Sequence, residues 1–174
     1  MKAPEKHRHE APKKLKLSLI IVSSSRYSEI RSKGKARDES GDIAQRLILR
    51  RGHALASRAL VDDDSKMIRL HLLRSIYETD SDAVILIGGS GLAERDVTIE
   101  SVKPLFEKEI EGFGETLRIL SYRKIGSAAI LTRATAGTIS GKVVFCLPGS
   151  PDAVRMALQF VLPELPHAVY IAGR

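Results

Sequence analysis

Three short stretches, "KLSLIIV" (16–22), "DAVILIG" (82–88) and "KVVFCL" (142–147), are apolar almost without interruption. A strand with one face in water alternates apolar and polar side chains, whereas a strand covered on both faces does not. These runs are too short for buried helices and rich in β-branched residues, so they read as fully buried strands. Longer segments of helical spacing separate them. Buried strands alternating with helices predict an α/β fold: a three-layer αβα sandwich with a mostly parallel central sheet, in a single domain.

The remaining elements follow from spacing and punctuation. Residues 23–40, "SSSRYSEIRSKGKARDES", read as a polar loop. "GDIAQRLILRRGH" (41–53) reads as a helix carrying Ile43, Leu47, Ile48 and Leu49, with Gly52 as its C-terminal stop. "ALASRALV" (54–61) reads as a strand. "DDDSKMIRLHLLRSIYE" (62–78) reads as a helix whose acidic start suits the macrodipole, with Met67, Leu70, Leu73 and Tyr77 sharing its buried side. Thr98 is placed to cap the short segment "IESVKPLF". "GFGETLRILSYRKIG" (112–126) is a further helix closed by glycine, and "AGTISG" (136–141) a hairpin-like approach to the strand "KVVFCL". The last stretch, "SPDAVRMALQFVLPELPHAVYIAG" (150–173), is helical with a break expected near Pro163.

Composition narrows the function classes. The longest apolar runs are far too short to span a bilayer, and no apolar signal segment stands near the N-terminus. A lone cysteine, Cys146, forms no internal disulfide, which fits a reducing cytoplasm. It reads as a buried strand residue rather than a nucleophile, because nothing nearby offers a base. The net charge of +7 asks for an anionic partner. Nucleic acid is not expected, because the chain has no Trp, only four Tyr and four Phe, and no DNA-binding signature. Part of the excess charge lies in residues 1–14, read as a disordered basic tail ahead of a domain at 15–174. The absence of Asn and the presence of only two Gln suggest a thermophilic source.

The segment "LIGGSGLAERDVT" (86–98) raises the functional question. In parallel sheets ligands sit at the carboxyl ends of strands, and this segment lies at such an end. Gly88, Gly89 and Gly91 would let backbone amides approach an oxyanion closely. The spacing nevertheless misses the P-loop, which needs Gly-Lys-Ser/Thr, and the dinucleotide fingerprint, which needs glycine where Glu94 stands. On glycines alone a plain strand-to-helix turn is the somewhat better reading. Asp96 bears on that choice. A helix start can use an aspartate as a cap, but beside a phosphate a carboxylate requires a bridging cation, usually Mg²⁺. "VDDDS" (61–65) offers a second acidic group at the end of the second strand, on the same edge, as caps or as metal ligands.

At this point the chain resembles a family. "GGSGLAERDVT" is similar to the GGTG-x-x-x-RDVT signature of molybdenum-cofactor biosynthesis proteins of the MoaB/MogA type, closer to the MoaB subgroup. "VSSSR", "LVDDD", "GFGE", "RILSY", "TRATAG" and "CLPGSPDAV" match further family motifs in the same order, over residues 15–172.

The resemblance implies a cytoplasmic molybdopterin adenylyltransferase. Such an enzyme joins molybdopterin to the adenylyl group of Mg-ATP and releases pyrophosphate. It implies Asp63 and Asp96 as the catalytic, metal-linked pair. Gly88, Gly89, Ser90 and Gly91 are implied as a phosphate cradle, with Ser90 in place of the commoner threonine. Ser121 and Thr132 would place hydroxyls on the pterin phosphate, and Arg133 would be their charge partner. Pro148, Gly149 and Ser150 would form a facing loop, with Ser23 and Ser24 nearby. Arg26, Arg95 and Arg118 are candidate phosphate contacts, weighed evenly against solvated or salt-bridged roles. Cys146 stands where some relatives carry Asn. The resemblance further implies a homo-oligomer, trimer or hexamer, with other cofactor-biosynthesis proteins as candidate partners and neither nucleic acid nor membrane. Two rivals remain: a non-catalytic molybdopterin carrier of the same fold, and a regulatory protein whose basic tail docks on an acidic partner.

Overall fold

The computed structural model describes residues 10–174. Its centre is a six-stranded sheet made by β1 (Lys16–Val22), β2 (Ala54–Val61), β3 (Ala83–Ile87), β4 (Lys108–Glu109), β5 (Thr135–Ile139) and β6 (Lys142–Leu147), in the order β2-β1-β3-β6-β5-β4. The pairs β1–β2, β1–β3 and β3–β6 are parallel, while β5 and β4 extend the sheet antiparallel. The three apolar runs of the sequence are thus the three central strands. Each has helices on both sides, which is why none of them alternates.

Six helices cover the faces among the described residues: α1 (Ser24–Lys33), α2 (Glu39–Arg50), α3 (Ser65–Tyr77), α4 (Thr98–Val102), α5 (Glu111–Ile125) and α6 (Pro151–Ala172). Leu17, Leu19, Ile21, Ile85 and Phe145 point to one face, where α2, α5 and α6 lay Ile48, Leu117 and Leu158 against them. Ile20, Val22, Leu86 and Cys146 point to the other, under Ile68, Leu72 and Ile76 of α3 and Val102 of α4. Burial pushes the Cys146 thiol well above its ordinary pKa, so it stays an uncharged core residue.

Four sequence expectations are corrected. Residues 24–33 form a helix rather than a loop. Ser23 caps it, Gly34 closes it in the left-handed conformation, and no residue of it is buried, so no apolar period announces it. The buried face of α3 is Ile68, Leu72, Ser75 and Ile76. Leu70, Leu73 and Tyr77 are exposed, and Met67 is only half-buried. Both sets of positions satisfy helical spacing, and docking on the sheet selects the stripe of Ile68, Leu72 and Ile76. Thr98 does not cap α4; its hydroxyl donates to the Gly88 carbonyl instead. The last helix runs unbroken through Pro163 and Pro166. Pro163 faces solvent while Val161, Leu162 and Leu165 hold that turn in the core. The lost hydrogen bond is therefore on the wet side.

Residues 1–9 of the expected N-terminal tail lie outside the described residues. Ala11, Pro12 and Lys13 lie beside Pro163, Glu164, Pro166 and His167 of α6. No helix among the described residues is long and apolar enough to cross a membrane.

Candidate functional site

Because β1, β2, β3 and β6 are parallel, the loops that leave their carboxyl ends share one edge of the sheet. Ser23 follows β1, Asp62 and Asp63 follow β2, Gly88 and Gly89 follow β3, and Pro148 to Ser150 follow β6. They enclose a cavity of about 530 Å³ lined by Ser23, Ser24, Asp63, Gly88, Gly89, Asp96 and Gly149, with Arg26 and Arg95 at its wall. Residues 126 positions apart in sequence thus meet at one site (Ser23 and Gly149).

The cradle depends on missing Cβ atoms. Gly88 and Gly89 have φ of 102° and 59°, which side chains of L-residues rarely adopt. A Cβ at Gly89 would come within 2.5 Å of Asp63 Oδ1, and one at Gly91 within 2.6 Å of Asp96 Oδ2. Both carboxylates are therefore pressed against the glycine backbone. From across the cavity, Gly149 packs so closely that its own Cβ would stand 3.1 Å from Gly88 Cα.

Each carbonyl of this loop pair that a side chain ties down is held from elsewhere in the fold. Thr98 Oγ1 donates to Gly88 O at 2.8 Å, Arg133 Nη1 to Gly91 O at 2.7 Å, and Ser40 Oγ to Gly149 O at 2.7 Å. Backbone bonds add to this: Thr98 N donates to Gly89 O at 2.9 Å and Gly88 N to Leu147 O at 3.0 Å. Ser40, Thr98 and Glu100 were not singled out as site residues from the sequence. Ser40 is fully buried and 109 positions from its partner, so no local pattern carries that contact.

The three aspartates of "VDDDS" divide the roles left open by the sequence. Asp64 caps α3, accepting from Met67 N. Asp62 Oδ1 accepts from Asp63 N. Asp63 alone lines the cavity, where its Oδ2 accepts from Ser24 N at 2.7 Å and Ser24 Oγ at 2.9 Å. Arg95 donates to the same Ser24 hydroxyl at 3.2 Å. Asp96 Oδ2 accepts from Ala93 N at 2.9 Å. The Oδ1 atoms of Asp63 and Asp96 make no hydrogen bond among the described residues. A cation at this edge would find these two atoms unengaged. No group of three His, Cys, Asp or Glu gathers anywhere among the described residues. A pair of carboxylates suits an ion that keeps water and phosphate oxygens for its remaining positions.

The other expected site residues are placed as follows. Ser90 is buried within the glycine loop, Pro148 is half-buried, and Ser150 caps α6 by accepting from Ala153 N at 3.3 Å. Thr132 and Arg133 line a second cavity of about 420 Å³, together with Lys103, Glu109, Glu115 and Arg118. Arg133 belongs to both regions, since its guanidinium lies on the Gly91 carbonyl and pairs with Glu100. Burial works against the Glu100 charge, but the Arg133 hydrogen bond, a backbone hydrogen bond and the Arg133 charge together outweigh it, holding that carboxyl below its ordinary pKa. Ser121 joins neither cavity lining; it is buried in α5 and its Oγ donates to Leu117 O at 2.8 Å.

Comparison with known proteins points one way. The family description "Probable molybdopterin binding domain" fits residues 18–167. "Molybdenum cofactor biosynthesis protein B" of Bacillus cereus is 42% identical over 166 residues, covering 94% of each chain. "Molybdopterin adenylyltransferase" of Pyrococcus furiosus is 40% identical over 167 residues, again covering 94% of each. A crystal structure of a molybdenum cofactor biosynthesis protein B superposes with a TM-score of 0.84 at 41% identity, covering 93% of this chain and 98% of its own.

Proposed function

The chain belongs to the family of molybdopterin-binding domains, and from that membership and the geometry of its carboxyl edge we propose that it is a molybdopterin adenylyltransferase of molybdenum-cofactor biosynthesis. A phosphate oxygen of molybdopterin attacks the α-phosphorus of ATP, the bond to the β-phosphate breaks, and adenylyl-molybdopterin and pyrophosphate result. The observation that carries the reading is the pairing of Asp63 and Asp96 against one glycine cradle. A carrier has no use for two carboxylates aimed at a phosphate pocket.

Transfer between phosphates needs positioning and charge neutralisation more than a protein nucleophile. Asp63 and Asp96 are the residues that would hold Mg²⁺, which when bound would offset phosphate charge and polarise the α-phosphate. Ser24 orients Asp63 through two hydrogen bonds. Gly88, Gly89 and Gly91 keep side chains out of the phosphate's path, with Ser90 in the same loop. Gly149 closes the opposite wall between Pro148 and Ser150, and Ser23 sets the start of α1 beside it. Arg26 and Arg95 line the same cavity and would supply positive charge to the nucleotide phosphates. In this reading Thr132, with Arg118, faces the pterin side through the second cavity.

A cytoplasmic homo-oligomer, trimer or hexamer, completes the reading. An uncovered apolar strip supports assembly: Ile119, Tyr122, Ile125, Ile130 and Leu131 are all more than half exposed. Sedimentation velocity is to give a single species above the 19.1 kDa monomer.

The decisive assay incubates the protein with molybdopterin, Mg²⁺ and ATP. Stoichiometric pyrophosphate and adenylylated pterin are expected. Tight molybdopterin binding with no pyrophosphate above background would replace the enzyme with the carrier.

A further inference from the structure

The resemblance casts Arg133 as a charge partner for the substrate phosphate, yet the structure shows both ends of its fork occupied. Nη1 donates to Gly91 O at 2.7 Å and Nη2 to Glu100 Oε1. Gly91 is also the residue on which Asp96 rests, since a Cβ there would lie 2.6 Å from Asp96 Oδ2. The same Oδ2 accepts from Ala93 N at 2.9 Å, and Asp96 N donates back to Ala93 O at 2.9 Å. A chain of contacts therefore runs from Glu100 through the guanidinium to the Gly91 peptide and on to the Asp96 carboxylate.

We infer that Glu100 and Arg133 form a clamp that positions Asp96, with Arg133 holding the glycine loop and Glu100 holding Arg133. The inference rests on the adenylyltransferase reading for what Asp96 does, but not for how it is held. Both groups are positioning residues, acting on the reacting phosphates through Asp96. Arginine is required because a planar fork delivers two donors at fixed spacing, one to a carbonyl and one to a carboxylate. The lysine ammonium is a single point on a flexible stem and cannot fix both. Without the carboxylate, the guanidinium is drawn to any anion in the second cavity, which it also lines. Glu100 thus keeps Arg133 on the loop.

The clamp is not a stability device. The side chains of Arg133 and Glu100 retain 30% and 52% of their exposure, and ion pairs of that kind add little to folding. Its signature is local order in residues 91–96.

The test uses Glu100→Ala, Arg133→Lys, Arg133→Ala and the double variant Glu100→Ala/Arg133→Ala, with two measurements. The first is amide hydrogen exchange of the free protein. Exchange at Ala93 and Asp96 is expected to quicken about tenfold in each single variant, with core strands unchanged. The second is calorimetric binding of Mn²⁺ with α,β-methylene-ATP, which cannot turn over. Affinity is expected to fall about 5- to 10-fold in each single variant, and the double variant to fall no further than the worse single, because the two residues act as one unit. A result in which Arg133→Ala weakens binding while Glu100→Ala binds equally or more tightly would overturn the clamp and make Arg133 a direct anion ligand. Unchanged exchange at Ala93 and Asp96 would overturn it independently. Asp96→Asn is the control for the underlying reading. If that variant binds the metal–nucleotide pair as well as the wild type, the assignment of Asp96 fails, and the exchange data still decide whether the clamp holds the loop.

Discussion

The two ends of the parallel strands are built from the same backbone and finished in opposite ways. At the amino ends the polar groups are spent on one another. Lys16 N donates to Asp82 Oδ2 at 2.8 Å, Asp82 N returns a bond to Lys16 O at 2.7 Å, and Leu15 N donates to His53 Nδ1 at 3.3 Å. The Lys16 ammonium pairs with Asp80. At the carboxyl ends the side-chain donors go to loop carbonyls, from Thr98, Arg133 and Ser40, and the oxygens of Asp63 and Asp96 face a cavity. One end is closed by mutual satisfaction. The other is held open by groups tied down from behind, and that difference separates residues that support folding from residues available for chemistry.

The largest expected effect falls on the open end. Asp63→Asn and Asp96→Asn each keep the shape of the side chain and remove its charge. Turnover is expected to fall about 10²-fold or more, the usual scale for losing a metal-holding or positioning group. Unfolding in urea is to stay within about 1 kcal/mol of wild type, since each asparagine keeps an oxygen to accept the bonds from Ser24 or Ala93. Equal activity in either variant would remove that residue from the proposed metal pair. Gly89→Ala comes next and blurs the contrast on purpose. Its φ of 59° penalises a side chain, and the new Cβ meets Asp63 and Thr98. Stability is expected to drop by about 1–3 kcal/mol and turnover by about tenfold, read by urea melts and pyrophosphate release on the same samples.

The contrast also explains what was legible in the sequence. The central strands were plain because burial on both faces erases alternation, and the glycine loop was plain because left-handed backbone selects glycine. Asp63 could be placed on the same edge as Asp96 once the sheet was known to be parallel. Contacts that cross the fold left no local trace. Ser40 reaches Gly149 and Arg133 reaches Gly91 over 109 and 42 positions, set by packing rather than spacing. Helix α1 was missed because it buries nothing and so carries no period. The face of α3 was misread because two apolar stripes share one helical spacing, and only docking chooses between them. Thr98 looked like a cap because threonine often is one, and here its hydroxyl went to the cradle.

Smaller effects belong to the closed end. Asp82→Ala removes the acceptor for Lys16 N and leaves the cavity untouched. Folding is expected to weaken by about 1 kcal/mol, the typical value of a single such bond. Turnover per folded molecule is expected to stay at the wild-type value; a drop would mean that the amino end communicates with the site.

The smallest effect is a pH dependence shared by His71, whose pKa burial also lowers, and His53. Nδ1 accepts the Leu15 N–H, so the neutral ring must carry its proton on Nε2, and charging the ring costs that bond. Burial, assisted by the nearby Arg51 charge, lowers the His53 pKa below its ordinary 6.5. The unfolded chain therefore binds a proton at a higher pH than the folded one does. Stability contributed by the neutral ring is full above pH 6.5 and is lost as pH falls through the folded value. Each such proton adds at most about 1.4 kcal/mol per pH unit to the slope. Urea midpoints measured between pH 8 and 5 are to decline for the wild type and to decline less for His53→Gln, which keeps a polar group but does not titrate. Asp63→Asn and Asp96→Asn are to follow the wild-type slope, because neither carboxylate acts on the His53 or His71 ring. An identical slope in His53→Gln would assign the dependence to another group and remove His53 from the closed end.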